Sequence, residues 1–414
     1  MSGRPRVVIV GAGFGGLWTA RTIAPFNVEV LLIDQNNYHT FLPLLYQVAA
    51  AELEPEEIAH PLRSILRRLP NVQFALDEIK EIDFPSKTVK ANDRTIPYDY
   101  LVLAIGSTPE FFGIPGASEH AIPLKTLEDG ITIRSRVLSC FERASQEPDR
   151  KRREQILTFV IVGGGPTGVE FAGAIAELIH GALVKDFTTL DLQEVHLILL
   201  EALSNPLSGF PEPLQKYAVK RLTEMGVDVR LSAPVAEIAP QAVRLKDGTV
   251  IPAETVIWTA GVRGNSNNLT GLRTTRNGQI PALPTLQVEG HPEIYVVGDL
   301  AHFEEDGHPL PMIAPVAIQQ GTHVAGNIIR QINGLPPRNF RYRDRGKMVT
   351  IGRNSGAAHL LGRSFTGFPA WAIWLSVHLY NLIGFRNRLF VLIDWSWDYF
   401  FYERAVRLIL PHRS

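Results

Sequence analysis

"FVIVGGGPTGVE", residues 159–170, is an apolar run that ends in glycines and leads into residues able to continue as a helix. The same grammar stands near the N-terminus as "VVIVGAGFGG", residues 7–16. Each copy takes a strand through G-x-G-x-x-G into a helix: Gly11, Gly13 and Gly16 in the first, Gly163, Gly165 and Gly168 in the second. The first glycine permits the tight turn, the second lets the backbone approach a pyrophosphate, and the third lets helix pack closely on strand. The helix N-terminus then offers free N–H groups and a positive dipole end to phosphate. A lone match is weak, because glycine turns also arise merely to pass a strand into a helix. Here, however, each turn is followed by a second strand that closes on an acid. "VEVLLID" ends at Asp34, 23 residues beyond Gly11, and "VHLILLE" ends at Glu201, 38 residues beyond Gly163. A carboxylate at that place binds the ribose of an adenosine. The longer second spacing reflects a polar insert around 185–194.

Each half later carries an apolar strand that ends in small residues: "YDYLVLAIGS" (98–107, with Gly106) and "ETVIWTAGV" (254–262, with Gly261). A third such strand, "EIYVVGDLA" (293–301, with Gly298 and Asp299), stands alone. The pattern predicts an α/β fold built by duplication of βαβ units, with two Rossmann-like dinucleotide-binding domains. Two cradles imply two dinucleotides: a resident flavin dinucleotide and a visiting nicotinamide dinucleotide, with hydride passing between them. The polar stretch "EPDRKRREQ" (147–155) reads as a connector.

A chain of 414 residues with 45% hydrophobic and 20% charged residues predicts two or three globular domains. A net charge of −1 argues against nucleic acid as a partner. Cys140 is the single cysteine, which excludes a disulfide framework or thiolate cluster and fits a reducing compartment. The N-terminal apolar run is four residues long, too short for an export signal, and reads as a strand of a cytoplasmic protein. No histidine pair has metal-ligand spacing, so no metal is expected. His39 and His60 read equally as structural or as catalytic histidines.

Beyond the cradles, "NYHTFLPLLYQVAAAELEPEEIAHPLR" (37–63), "GGGPTGVEFAGAIAEL" (163–178), "AIQQG" (317–321) and an aromatic C-terminus resemble the type II, non-proton-pumping NADH:quinone oxidoreductases. The resemblance covers nearly the whole chain. It implies tightly bound FAD on Gly11, Gly13, Gly15, Gly16 and Asp34, with His39 and Gln47 near the isoalloxazine edge. Gly106, Gly298, Asp299 and Ala317 would complete that site. NADH would bind as substrate on Gly163, Gly165, Gly168, Glu201 and Gly261, and Glu201 favours NADH over NADPH because it repels a 2′-phosphate. Glu170 has two readings: it complements the helix dipole, or, by the resemblance, it orients the nicotinamide. The acceptor implied is a membrane quinone near 312–328, with Gln319 and Gln320 as its amides or simply as solvated helix residues. The family's AQxxxQ pattern is broken here, since Ala314 matches but Pro315 replaces the first glutamine. Disulfide-reducing and sulfide-oxidising relatives need cysteines that this chain lacks. Rival readings are a soluble reductase of a small redox protein and an NADH-binding sensor.

The expected domains are 1–112 and 285–335 for a split FAD domain, 113–284 for an inserted NADH domain, and 336–414 for a C-terminal module. Four of six tryptophans fall within 371–397, and 364–385 contains no Asp, Glu, Lys or Arg. That run is long enough to span a bilayer. The helix after it is amphipathic, with Leu389, Phe390, Ile393 and Trp397 opposite Asn387, Asp394 and Asp398, and Arg404, Arg407 and Arg413 follow. The reading is peripheral attachment through 364–410 to the cytoplasmic face of the cell membrane. A dimer interface or a domain core is the alternative, and two copies could pair.

Overall fold

A computed structural model describes residues 3–92, 94–267, 269, 271–401 and 406–409. The expected Arg404 and Arg413 lie outside the described residues, as do 402–405 and 410 of the expected membrane segment. The chain forms two compact units: Met1–Thr40, His60–Thr108 and Val262–Asp344 in one, Phe41–Ala59, Pro109–Gly261 and Arg345–Ser414 in the other. These divisions differ from the expected boundaries at 112, 284 and 335. Residues 262–284 and 336–344 pack with the first cradle, and residues 345–414 with the second.

In the first unit, six strands lie in the order Gln287–Val288, His291–Val296, Tyr100–Leu103, Arg6–Val10, Glu29–Asp34, Val72–Leu76. All neighbours run parallel except the edge pair Gln287–Val288 with His291–Val296. Arg6–Val10 is almost wholly buried, as a central parallel strand covered on both faces must be. Its end turns into the helix Phe14–Ile23, which packs on a long helix, Ala314–Ile332. The third strand, which has no counterpart in the other half, pairs with Tyr100–Leu103 in the first cradle's sheet. Its partner is about 190 residues distant in sequence, a separation local patterning does not reveal.

In the second unit, five parallel strands lie in the order Ala121–Pro123, Thr255–Trp258, Thr158–Val162, His196–Leu200, Val227–Arg230. Thr158–Val162 is buried at every residue and leads into the cradle helix Pro166–Glu177. That helix runs on through a wider π turn at Leu178–Leu183 and the short helix Val184–Asp186 into the polar insert. Pro166–Asp186 is long and apolar enough to cross a membrane, but it is mostly buried as a core helix. The C-terminal part adds a three-stranded antiparallel sheet, Lys347–Thr350, Gly356–Leu360 and Arg363–Thr366, then the tail helices Phe368–Asn381 and Phe385–Phe401.

Candidate active site

The two cradles have the same local geometry. Gly11 and Gly163 have φ of +100° and +111°, and a Cβ there would meet backbone of Ala104 or Ala260 at 2.3 and 2.5 Å. Only glycine fits such a turn. Gly16 and Gly168 lie where a Cβ would sit 1.8 and 1.9 Å from the carbonyl oxygens of Gly11 and Gly163. Gly13 and Gly165 differ: each is extended, each caps its helix, and a Cβ on either would meet nothing within 4 Å. The turn therefore presents bare backbone to open space at the one position where a pyrophosphate approaches.

The first unit gathers Asp34, His39, Gly106, Gly298, Asp299, Ala317 and Gln320 around Gly11, Gly13, Gly15 and Gly16. Asp34 accepts from the Ala12 amide at 2.6 Å and from the Asn36 amide at 2.7 Å. Burial still pushes its carboxyl above the usual carboxylate range. His39 is tied through Nδ1 to the Ala12 carbonyl at 2.9 Å, and its Nε2 is buried with no hydrogen-bond partner among the described residues. Burial holds this imidazole down to about 4, so it is neutral. A Cβ on Gly15 would press on Val297, with the Ala317 carbonyl near by. Gln320 accepts from the Gly298 amide at 2.7 Å, and Ser107 donates to Asp299 at 2.5 Å. Gly106 accepts from the Asn265 amide at 3.0 Å.

Gln319 is placed otherwise than expected. Its amide brackets the backbone of Arg343, donating to the carbonyl at 3.1 Å and accepting from the N–H at 3.0 Å. Both ends of the side chain therefore pin the chain that leaves the long helix. Pro315 does sit in that helix's first turn, where its missing N–H costs nothing.

In the second unit, Glu201 binds its own cradle: Oε2 accepts from the Gly164 amide at 2.7 Å and Oε1 from the Leu203 amide at 2.8 Å. Four lone-pair sites on the carboxylate leave acceptor capacity for a ribose diol. Gly261 accepts from the Glu110 amide at 3.0 Å and lies against the Phe112 ring, which a Cβ would meet at 2.8 Å.

Gln47 and Glu170, expected at different ligands, line one cavity of about 380 Å³. Glu170 sits past the first turn of its helix and does not serve the helix dipole. Its Oε1 accepts from the Trp374 indole N–H at 2.9 Å and from the Thr350 amide at 3.4 Å. Burial pushes this carboxyl up to about 8, against the lowering effect of those two donors. Gln47 accepts from the Trp395 indole at 3.0 Å and donates to the Tyr46 hydroxyl at 3.1 Å. Burial lifts the Tyr46 phenol well above its ordinary value. Trp374 and Trp395 come one from each tail helix, and they and Tyr46 are site residues that the sequence reading missed. The signal was present: a buried indole N–H needs an acceptor.

The tail helix Phe385–Phe401 turns its polar stripe inward. Asn387 is 3% exposed and donates to the Glu57 carbonyl at 2.9 Å. Glu57 is pushed up to about 8, first by burial and then by sharing a proton with Asp394. Arg353 donates to the backbone carbonyls of Asp398 and Tyr399. Leu389, Phe390, Ile393 and Trp397 face outward and are 41–49% exposed. Arg407, expected at a lipid surface, pairs with Asp186 at 2.9 Å.

Two glycine cradles of this geometry, each with its acid, define an oxidoreductase of the two-dinucleotide class. Residues 5–321 match the sequence profile of the family described as pyridine nucleotide-disulphide oxidoreductase. The chain is 37% identical over 409 residues to the type II NADH:quinone oxidoreductase Ndh of Mycobacterium tuberculosis, covering 95% of this chain and 88% of that one. It is 31% identical to the type II NADH:quinone oxidoreductase of Staphylococcus haemolyticus, covering 89% and 92%. The fold is similar to that of NDH2 from Plasmodium falciparum in complex with NADH (TM-score 0.87, 18% identity, 99% and 100% covered). It is also similar to the sulfide:quinone oxidoreductase of Aquifex aeolicus (TM-score 0.74, 19% identity, 96% of each chain). The chain belongs to the pyridine nucleotide-disulphide oxidoreductase family and, within it, to the type II NADH:quinone oxidoreductases.

Proposed function

We propose that the chain is an FAD-dependent NADH:quinone oxidoreductase that pumps no protons: NADH gives up a hydride, and the electron pair passes to a quinone that takes up two protons. Bound FAD supplies the acceptor that links a two-electron donor to a quinone. The first cradle fits it. The open backbone at Gly13 suits a pyrophosphate, Asp34 suits the adenosine ribose, and the orphaned Nε2 of His39 marks a buried polar partner still to be met. Gly165 and Glu201 suit NADH in the same way, and Glu201 disfavours the 2′-phosphate of NADPH.

The observation that carries the reading is the cavity around Glu170. Its walls are mostly aromatic and aliphatic, among them Tyr46, Trp371, Trp374, Leu379 and Trp395, and it contains a carboxyl held largely neutral near pH 7. A planar, apolar quinone ring with two carbonyls suits such a space, and a carboxylic acid with a raised pKa suits proton donation to it. Cys140, buried in a helix beside Thr255, excludes a disulfide acceptor. Gln319 is replaced as the quinone residue, because its amide is committed to Arg343.

A lipid-phase substrate also explains the outward apolar stripe of the tail. The first tail helix has 14 residues, or roughly 21 Å, short of a hydrocarbon core of about 30 Å, and the second carries Asp394 and Asp398. Both suit the plane of the interface on the cytoplasmic face of the cell membrane. The function is tested by steady-state turnover of NADH with ubiquinone-1, with menadione and with oxygen alone. Turnover that depends on quinone supports the reading; oxidation by oxygen alone at the same rate overturns it. Flotation with phospholipid vesicles tests the tail. A purified chain that dimerises without lipid and fails to float would make the stripe an interface between copies.

A further inference from the structure

Resting on the reading of the Glu170 cavity as the acceptor site, we propose that Trp374 is a positioning residue that dedicates one oxygen of Glu170, Oε2, to carrying the transferable proton. Both hydrogen bonds that the carboxyl makes among the described residues fall on the other oxygen, Oε1. An indole N–H and a backbone amide are donors only. Oε1 is therefore an acceptor in both protonation states, and the acidic hydrogen of the neutral form sits on Oε2.

The indole cannot swing its N–H away. Trp374 is 1% exposed. Its ring stacks on His378 with centroids 3.9 Å apart and planes 22° apart, and Tyr46 and Trp395 flank it at 6.1 Å each. His378 is locked in turn, its Nδ1 on the Trp374 carbonyl at 2.7 Å. Among the described residues no nearby charge competes for the role. Tyr46, Glu52, Glu177, Arg353 and Asp398 line the same cavity, but none of them perturbs Glu170 as much as burial and its two donors do. Arg353 is engaged by Asp398 and Tyr399, Lys347 on the strand of Thr350 is turned to the Gly209 carbonyl, and burial keeps His378 neutral.

In the step proposed, the quinone carbonyl oxygen gains an O–H bond as the O–H bond at Oε2 breaks, while the electron pair supplied by NADH enters the ring. The second proton is taken from solvent, to which the proton of the hydride is released once its electron pair has left, and solvent also reprotonates the Glu170 carboxylate, so that each turnover consumes one net proton. Trp374 contributes orientation, and it stabilises the carboxylate left behind through a charge-assisted hydrogen bond.

The test uses the full-length, flavin-loaded chain with Trp374→Phe, which keeps a ring and removes the N–H. Anaerobic flavin reduction by NADH should keep its wild-type rate. Reoxidation by ubiquinone-1 should slow by about tenfold or more, and its alkaline limb should move up by about one pH unit, because the charged form has lost a donor. The carboxylic C=O stretch assigned to Glu170 by its absence in Glu170→Gln should shift in Trp374→Phe. An unshifted limb, band and rate would overturn the role of Trp374. If Glu170→Gln itself keeps the wild-type reoxidation rate and limb, the reading of the cavity fails instead, whatever Trp374→Phe shows. Should Trp374→Phe lose its flavin, His378→Leu, which frees the indole from its stack, must move the limb and the band in the same directions. If it moves neither, the proposal falls.

Discussion

Gly165→Ala separates what the second cradle needs for folding from what it needs for binding. Gly165 has φ −68° and ψ 179°, a conformation any residue adopts, and a Cβ there touches nothing within 4 Å. Alanine should therefore fold normally and even gain about 0.4–1 kcal/mol by stiffening the unfolded chain. The methyl would nevertheless occupy the approach of the NADH pyrophosphate. At nucleotide one-hundred-fold above Kd, the wild-type chain gains about 2.7 kcal/mol, which for a unit of this size raises Tm by roughly 5–10 °C. Calorimetry of the flavin-loaded chain with and without NADH reads both effects. The variant should unfold at or slightly above the wild-type temperature and show little or no rise with NADH. Gly168→Ala is the control, because its Cβ would lie 1.9 Å from the Gly163 oxygen and 2.7 Å from Thr259 Oγ1; it should destabilise the unit by several kcal/mol. A full NADH-induced rise in Gly165→Ala would refute the placement of the pyrophosphate at this turn.

Glu201→Gln should narrow the preference for NADH over NADPH, measured as the ratio of kcat/KM values, and equal ratios before and after would remove Glu201 from the ribose site. Gln319→Leu should cost about 1–2 kcal/mol by freeing the backbone of Arg343 and leave quinone kinetics unchanged; a selective loss of quinone turnover would restore Gln319 to the acceptor site. Stability should fall from both ends of the pH range. Glu57 and Glu170, raised to about 8, contribute stability that is complete below about 4.5 and is lost as pH climbs to 8. His39 and His378, held down to about 4, contribute stability that is complete above about 6.5 and is lost as pH falls to 4. Urea titrations across pH 4–9 test this, with Glu57→Gln expected to flatten part of the alkaline decline; stability still rising between pH 7 and 8 would contradict it.

The cradles were legible because their physics is local. A strand, three glycines at fixed offsets, a helix and an acid lie within some forty residues, and the third glycine of each turn is required by the carbonyl of the first, five residues back. The strand 293–297 was legible as a strand, and 285–335 as the second part of the first cradle's domain, but its pairing with Tyr100–Leu103 was not, since that is a long-range contact. The Glu170 cavity was illegible for a similar reason. Tyr46, Glu170, Thr350, Trp374 and Trp395 come from five segments, and each has an ordinary local explanation. Glu170 read as a helix-end acid or as a group orienting the nicotinamide, and the tail tryptophans read as lipid anchors or as an aromatic dimer interface or core. The outward stripe from Leu389 to Trp397 follows from helical periodicity, whereas the inward grip of Asn387, Asp394 and Trp395 depends on which surface the helix meets. Gln319 misled because an amide's sequence context does not reveal that the backbone of Arg343 occupies both its ends.

Anaerobic stopped-flow of the full-length, flavin-loaded chain tests NADH:quinone oxidoreduction most directly. NADH alone should bleach the flavin absorbance near 450 nm rapidly and stoichiometrically, and a second push of ubiquinone-1 or menadione should restore it within the time of a catalytic turnover, with quinol formed in equal amount. Bleaching that neither quinone reverses, or a flavin that NADH does not bleach, would contradict the proposed function.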